Sequence, residues 1–334
     1  MYYVTKKISI KNFIKNYDRK SKNIVYVSFI KGTFSNEIFL WEMSTIYFLI
    51  KNNLKFRIKY NFDSIKNSIF LWSPSESIFK KKIKNYSLSI ISTAEELERN
   101  FNKVYPPSSD LKFWENKSYM YKELERKKIL HPKTKIFPTK LSLQKNLTFP
   151  LLLKGEYSSG SKDIHKFESM DDLSYFLKTS DFKEKFDNYI FQSLLNIKKD
   201  LRVTIVNQKV VLSYWRINPH DEWRPTASSH GSYIDFENYP SKWNNYFIET
   251  TKILDLKMAA FDFAWENDDF SSIPYLLEVS PRFSPNPVFK NENFSYGKWK
   301  KKLFLKKSYP KLQTDLIFNI NEEYLSSYSD KFEK

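Results

Sequence analysis

The chain has no cysteine and only five glycines among its 334 residues. The absence of cysteine excludes disulfides, thiolate metal sites and a cysteine nucleophile. No N-terminal run is typical of a signal peptide, and no apolar stretch is long enough to span a bilayer. We therefore expect a cytoplasmic protein with no membrane partner. An apolar content of 41% and an aromatic content of 18% are those of a globular protein.

Arginine is also scarce, because only eight of the 55 basic residues are arginine. A net charge of +17 would usually favour nucleic-acid binding. The excess of lysine, together with many Asn, Ile, Phe and Tyr residues, is typical of AT-biased coding instead. The sequence contains no zinc finger, helix-turn-helix or aromatic RNA-binding motif. We therefore expect no specific nucleic-acid partner.

Residues 23–110 predict a small α/β unit. NIVYVSFI, KFRIKY, SIFLWS and LSIIST are strand candidates, and NEIFLWEMSTIYFLIKNN and AEELERNF are helix candidates. Strands that alternate with helices predict a mostly parallel sheet. A Pro/Ser break, VYPPSSD, separates this unit from the helix LKFWENKSYMYKELERKK, for which Ser109 or Asp110 is the candidate cap.

Residues 258–283 contain two alternating runs, AAFDFAW and YLLEVS, around a polar break, which predicts a β-hairpin with a long loop. Because side chains alternate along a strand, each run presents one face, formed by Ala260, Asp262 and Ala264 in the first and by Leu276, Glu278 and Ser280 in the second. Two strand carboxylates followed by Arg282 suit magnesium and transferring phosphates. The alternative is a strand face with ordinary salt bridges.

Lys154 ends an apolar strand, where a buried ammonium is costly unless an anion meets it. The loop GEYSSGSK follows, and its small residues offer N–H groups and hydroxyls to phosphate oxygens. The alternative is a hairpin turn whose lysine extends to solvent.

Two further segments carry polar groups. NYIFQSLLNIKKDLRV could hydrogen-bond an adenine edge and then hold ribose hydroxyls through Asp200; alternatively, it is a plain strand and loop. WRPTASSHGS, residues 223–232, contains Arg224, which could stabilise a charged intermediate. His220 and His230 are more typical of solvated loop histidines, and no two histidines have metal-ligand spacing on one element.

In order and spacing, these elements resemble the ATP-grasp superfamily over about residues 105–290. DLRV…VV…WR…H-G is similar to the ribosomal-protein glutamate ligase branch. LLEVSPRF is similar to the Glu-Val-Asn-Pro-Arg-Phe block of several carboxylate–amine ligases.

The resemblance implies an α/β (α+β) chain in which a parallel N-terminal α/β unit precedes an ATP-grasp fold of two α+β subdomains that clasp the nucleotide. The implied parts are an N-terminal unit at 1–107, a small subdomain with a Gly/Ser lid at 108–187, a subdomain with the metal and adenine sites at 188–310, and a peripheral tail at 311–334.

The resemblance also implies a role for each matched position. The nucleotide would be bound by Lys117, Lys154, Gly155, Ser158, Ser159, Gly160, Ser161, Gln192, Ser193, Leu195, Asp200 and Arg202. The metal ligands would be Asp262, Glu278 and Ser280. Arg224 and Arg282 would steady the acyl-phosphate and its tetrahedral adduct. Two positions depart from the family, since Ser280 replaces the usual asparagine ligand and Gln192 an often-found glutamate.

The implied activity is ATP-dependent amide formation through an acyl-phosphate, with release of ADP and phosphate. ATP and Mg²⁺, or Mn²⁺ in its place, are the implied cofactors. The partners would be a small-molecule or peptide carboxylate and an amine, and a homodimer is left open. Two alternatives remain, which are a kinase-like phosphotransferase and a non-catalytic nucleotide-binding protein.

Overall fold

The computed structural model describes residues 8–21, 23–27, 36–62, 64–75, 86–139, 147–227, 230–286, 294–295 and 309–332. The chain forms two compact units. The first comprises Met1–Leu111, Phe283–Pro287 and Phe304–Lys334, and the second comprises Lys112–Arg282 and Val288–Leu303. The predicted mixed α/β class is confirmed. Apart from the C-terminal segment at 311–334, the division into four parts stays a prediction, and parts of it lie outside the described residues.

The first unit contains a four-stranded parallel sheet of order β2-β1-β3-β4. Its strands are β1 (Ile24–Val27), β2 (Arg57–Lys59), β3 (Ile69–Trp72) and β4 (Lys103–Tyr105). Its helices are α1 (Ile10–Asn16), α2 (Asn36–Lys51), α3 (Tyr86–Arg99), α4 (Ser108–Leu111) and α9 (Tyr309–Ser326). The parallel sheet that the alternating pattern predicted is therefore present.

The predicted strand LSIIST was wrong, because it lies inside α3. Ile90, Ala94 and Leu97 are buried at a spacing of four and three residues, which matches one face of a helix. The short apolar run had suggested a strand, but its buried positions continue into the following AEELER segment with helical period.

The segment predicted as a peripheral tail instead contains α9, which packs in the core of the first unit. Ile317, Phe318 and Ile320 are almost fully buried. The Asn321 amide donates to the Ser44 hydroxyl of α2 at 2.9 Å.

The second unit contains two antiparallel sheets, of order β5-β8-β6-β7 and β13-β12-β9-β10-β11-β14. The strands are β5 (Thr134–Pro138), β6 (Leu151–Lys154), β7 (Ile164–Phe167), β8 (Asn188–Ser193), β9 (Lys199–Val206), β10 (Lys209–Ile217), β11 (Tyr233–Asp235), β12 (Met258–Ala264), β13 (Tyr275–Ser280) and β14 (Phe294–Ser295). The helices are α5 (Lys117–Arg126), α6 (Met170–Thr179), α7 (Phe182–Lys185) and α8 (Asn244–Ile253).

The helix predicted over residues 111–128 is shorter in the structure, because α5 begins only at Lys117 and a turn separates it from Leu111, the last residue of α4. The cap of α5 is Asn116, whose side chain accepts from the Tyr119 N–H at 3.1 Å. Ser109 and Asp110 lie inside α4, so they do not cap α5. The inner face of α5 then packs through Met120 and Leu124 on the core of the large sheet.

Among the described residues, no helix has the length and apolar content needed to cross a membrane.

Candidate active site

A cavity lies between the two sheets of the second unit, and many of the predicted site residues line it. These are Lys154, Ser161, Gln192, Ser193, Leu195, Asp200, Arg224, Asp262 and Glu278. The other lining residues, which are not predicted site residues, are Pro132, Leu152, Ile164, Leu194, Ile197, Arg216, Trp223, Pro225, Thr226 and Leu277; of these, Leu194 lies in the predicted adenine segment. Lys154 and Glu278, which are 124 positions apart in the sequence, therefore line the same cavity.

Lys154 is the buried cation of this cavity. It ends β6 and is only 7% exposed, so the alternative of a lysine extended to solvent is wrong. Its ammonium donates to the Tyr121 hydroxyl at 3.2 Å. Burial lowers the pKa of Lys154 to about 8, although the carboxylates of Glu278, Asp262 and Asp200 oppose that shift. An anion in the cavity would restore the ordinary pKa.

Lys117 does not line the cavity. Instead, its side chain contacts the Gly/Ser loop. Its ammonium donates to the backbone carbonyl and, at 3.3 Å, to the hydroxyl of Ser158. Lys117 is 6% exposed. The loop therefore supplies oxygens at the position where the resemblance implied phosphate oxygens.

The Gly/Ser loop is the connection between β6 and β7, so it is also a hairpin loop, as the alternative interpretation held. Gly155 begins it, and a Cβ there would lie 2.6 Å from Cζ of Phe186 and 2.7 Å from Cβ of Asp163. At the tip, Gly160 has a φ of +63°, which glycine adopts without strain. Ser159 and Gly160 do not line the cavity, whereas Ser161 does.

Glu156, to which the sequence analysis gave no role, anchors this loop to β8. Its buried carboxylate accepts from the Asn188 N–H at 3.2 Å and from the Asn188 side-chain amide at 2.8 Å.

The predicted adenine segment continues from the end of β8. The Gln192 amide donates to the Thr134 hydroxyl at 2.9 Å, and the side chain is almost fully buried. Ser193 and Leu195 follow along the cavity wall. Adenine binding by these residues stays a prediction.

The hairpin of β12 and β13 places Asp262 directly opposite Glu278 and Ala260 opposite Ser280. A bulge shifts the register beyond this pair, so that Phe263 lies opposite Leu276. The prediction that Leu276 shares a face with Glu278 was wrong, because the extra residue turns Leu276 into the core.

Asp262 is held by two arginines. Arg202, directly opposite on β9, donates through Nε at 2.7 Å to Oδ1 and through Nη2 at 2.9 Å to Oδ2. Nη2 of Arg216 lies 2.6 Å from Oδ2. Burial disfavours the charged carboxylate, but the two guanidiniums outweigh burial and lower the pKa of Asp262 to about 2.

Asp200 forms the second half of the same network. Arg216, opposite it across β9 and β10, donates through Nε at 2.7 Å and Nη2 at 2.6 Å. The Thr226 hydroxyl donates to the same carboxylate at 2.6 Å. Both oxygens of Asp200 therefore already accept hydrogen bonds within the protein. Its contact with a ribose stays a prediction.

The predicted metal ligands differ in availability. Both oxygens of Asp262 accept from guanidiniums, which fits the salt-bridge alternative for this strand face. The Ser280 hydroxyl lies 3.5 Å from Oε1 of Glu278. Within the described ranges, no cluster of three or more Asp, Glu or His side chains has metal-site geometry. Glu278 with Ser280 fits part of one cation shell, and Asp262 does not fit without release from its arginines.

The two predicted catalytic arginines differ in their relation to the cavity. Arg224 lines the cavity and is exposed, with Nη1 3.4 Å from Nε2 of His220. Arg282 does not line the cavity. Nε2 of His230 lies 3.3 Å from the Ser161 carbonyl oxygen of the Gly/Ser loop. Ser228 and Ser229, within the predicted 223–232 loop, lie outside the described residues.

Arg216 is the main residue that sequence reasoning missed. Its signal was its scarcity, because four of the eight arginines fall between residues 200 and 283. Thr226 carried no comparable signal.

Comparisons with known proteins identify the fold. No protein-family model and no curated protein sequence matches the chain. Among solved structures, D-alanine–D-alanine ligase from Bacillus anthracis is similar at a TM-score of 0.58 and 14% identity, covering 93% of this chain and 100% of that chain.

Two further structures agree. A RimK domain ATP-grasp protein of Sphaerobacter thermophilus aligns at a TM-score of 0.53 and 9% identity, over 90% of this chain and 99% of the other. N5-carboxyaminoimidazole ribonucleotide synthetase from Thermotoga maritima aligns at 0.53 and 11% identity, over 91% of this chain and 76% of the other. The chain therefore has the fold of the ATP-grasp ligases, as its motifs predicted.

Proposed function

We propose that this protein is an ATP-dependent carboxylate–amine ligase. The observation that supports the proposal most is the cavity in which buried Lys154 faces the strand carboxylate Glu278, within a fold shared with ATP-grasp ligases. Among the described residues, the hydrogen-bond acceptor of the buried Lys154 ammonium is a phenol hydroxyl alone, which suits this cation to meet a phosphate.

In the proposed reaction, an oxygen of the substrate carboxylate attacks the γ-phosphorus of ATP. The bond between that phosphorus and the β,γ-bridging oxygen breaks, and ADP leaves with the electron pair. An amine then attacks the acyl carbon, phosphate leaves, and the amine loses a proton. Lys154 and Lys117 would neutralise phosphate charge, and Arg224 would steady the adduct at the cavity rim.

Magnesium, which Glu278 and Ser280 would hold, would supply charge neutralisation at the phosphates. The protein's own contribution is positioning, because β6 and β13 fix Lys154 and Glu278 on opposite walls of one cavity.

The proposal is tested by ADP release across a panel of carboxylates paired with amines, amino acids and sugar acids included. For any active pair, a carboxylate labelled with ¹⁸O should transfer one label to the released phosphate, because the acyl-phosphate oxygen comes from the acid. Turnover without label in the phosphate would contradict the acyl-phosphate step.

A non-catalytic nucleotide-binding role is the second candidate. It is favoured by the engagement of Asp262 with two guanidiniums and by Ser280 at the usual asparagine position. Tight ATP binding with no turnover in the full panel would support it over the ligase. A stable phosphorylated acid without any amide would indicate a kinase-like phosphotransferase instead.

A further inference from the structure

Four charged side chains form a linear network, Arg202–Asp262–Arg216–Asp200, and all of them except Arg202 line the cavity. Strand register produces it, because Arg202 lies opposite Asp262 and Arg216 lies opposite Asp200. The side chains are 3% exposed for each aspartate, 17% for Arg202 and 13% for Arg216. Two positive and two negative charges balance, so the network is complete without any bound ion.

The network leaves little room for a metal ion on Asp262. Oδ1 accepts from Arg202, and Oδ2 accepts from both Arg202 and Arg216. A divalent cation on this carboxylate would lie against two guanidiniums in a buried site, where like charges are poorly screened. Magnesium also demands near-ideal octahedral oxygen geometry, which these bonds oppose.

Glu278 offers a different environment across the hairpin. It lines the cavity directly opposite Asp262 in the strand register, and the Ser280 hydroxyl lies 3.5 Å from its Oε1. Lys154 faces the same cavity, and no guanidinium is bonded to Glu278 among the described residues. Its oxygens are therefore the acidic oxygens of this site that a cation can reach without breaking an ion pair.

We infer that Arg216 is a built-in cation of this cavity, so that a single divalent cation accompanies the nucleotide and its protein ligand is Glu278 rather than Asp262. Asp262 then anchors Arg202 and Arg216. Within the described part of the chain, the bonds to the carboxylates use Nε and Nη2 of each arginine, so that Nη1 of Arg216, which lines the cavity, can meet an anion. This inference rests on the proposed nucleotide binding, but not on turnover.

Manganese binding tests the assignment without any measurement of activity. Wild type, Glu278→Gln and Asp262→Asn are saturated with a non-hydrolysable ATP analogue, and bound Mn²⁺ is counted by electron paramagnetic resonance. We expect one Mn²⁺ per nucleotide complex in the wild type. Glu278→Gln should weaken Mn²⁺ binding by at least about tenfold, and Asp262→Asn by less than about threefold.

Two Mn²⁺ ions per wild-type complex would overturn the inference, as would unchanged Mn²⁺ affinity in Glu278→Gln. Loss of Mn²⁺ in a folded Asp262→Asn would also overturn it. Should Asp262→Asn not fold, the wild-type count and Glu278→Gln decide the matter. The affinity for the nucleotide analogue is also measured in EDTA, because binding without a metal ion tests the proposed function separately from the assignment of the cation to Glu278. A folded wild type that binds no analogue, with or without Mn²⁺, would contradict the proposed function itself and this assignment with it.

Discussion

The lowered pKa of Lys154 makes ATP binding depend on pH in a defined direction. Burial lowers this pKa to about 8 in the protein without nucleotide. Phosphate oxygens favour the ammonium, so the pKa should return above 10 in the complex. Above pH 8, ATP must therefore bind together with a proton, and its affinity should fall about tenfold per pH unit, or ~1.4 kcal/mol per unit.

The matched perturbations are Lys154→Met and Lys178→Met. Methionine retains an unbranched apolar side chain at position 154 and removes the titrating group. Lys178 lies exposed in the last turn of α6 and does not line the cavity, so Lys178→Met is the control. Between pH 7.5 and 9.5, wild type and Lys178→Met should show the same slope of ATP affinity, whereas Lys154→Met should show none.

Lys154 also makes the free energy of unfolding depend on pH, in the opposite direction from an ordinary ion-paired lysine. The unfolded chain keeps its proton up to the ordinary pKa of 10.5, whereas the folded protein loses it at about 8. The unfolded state therefore binds more protons between these values, and stability rises with pH across that window. Relative to Lys154→Met, the wild type should gain up to about 3 kcal/mol between pH 7.5 and 10.5. Denaturant unfolding at several pH values measures this gain.

A flat ATP affinity in the wild type across this pH range would refute the reasoning. An equal slope in Lys154→Met would also refute it, because the proton would then belong to another group. The free energy of unfolding provides an independent check, since it requires no nucleotide.

Three further predictions concern single features. Gly155→Ala should destabilise the second unit by roughly 1–3 kcal/mol in denaturant unfolding, because its Cβ would press on Phe186 and Asp163; an unchanged midpoint would mean that the loop entry adjusts freely. Ser280→Asn should lower the Mg²⁺ concentration for half-maximal nucleotide binding by at least about tenfold, since an amide oxygen reaches further than the hydroxyl beside Glu278; no change would exclude position 280 from the metal shell. Because the charge of +17 is attributed to coding bias, generic RNA should not bind with sub-micromolar affinity at physiological salt; a filter-binding titration that finds such affinity with a steep salt dependence would reveal a basic footprint.

The chemistry-bearing segments were predictable because their signals are local. Asp262 and Glu278 alternate with apolar residues in two runs, and that alternation was enough to predict the hairpin and to place the two carboxylates opposite each other. Lys154 stood at the end of an apolar strand, which left two interpretations open, a buried ammonium beside a polar loop or a lysine extended to solvent; its burial supports the first.

The errors arose where local pattern was outweighed by tertiary structure. A bulge in β13 cannot be read from alternation, so Leu276 was placed on the wrong face. Ile90 and Ile91 suggested a strand in a short window, although their spacing to Ala94 and Leu97 suits a helix. Arg216 reaches Asp262 only through the neighbouring register of β9 and β10, which no local window contains.

The central claim is that the cavity with Lys154 and Glu278 binds ATP, and equilibrium binding of magnesium ATP at pH 7.5 tests it most directly. Calorimetric titration of wild type, Lys154→Met and Lys178→Met compares the buried cation with an exposed one. The account predicts equal affinity for wild type and Lys178→Met, and an affinity at least about tenfold weaker for Lys154→Met. No binding by folded wild type, or equal binding by all three proteins, would contradict it.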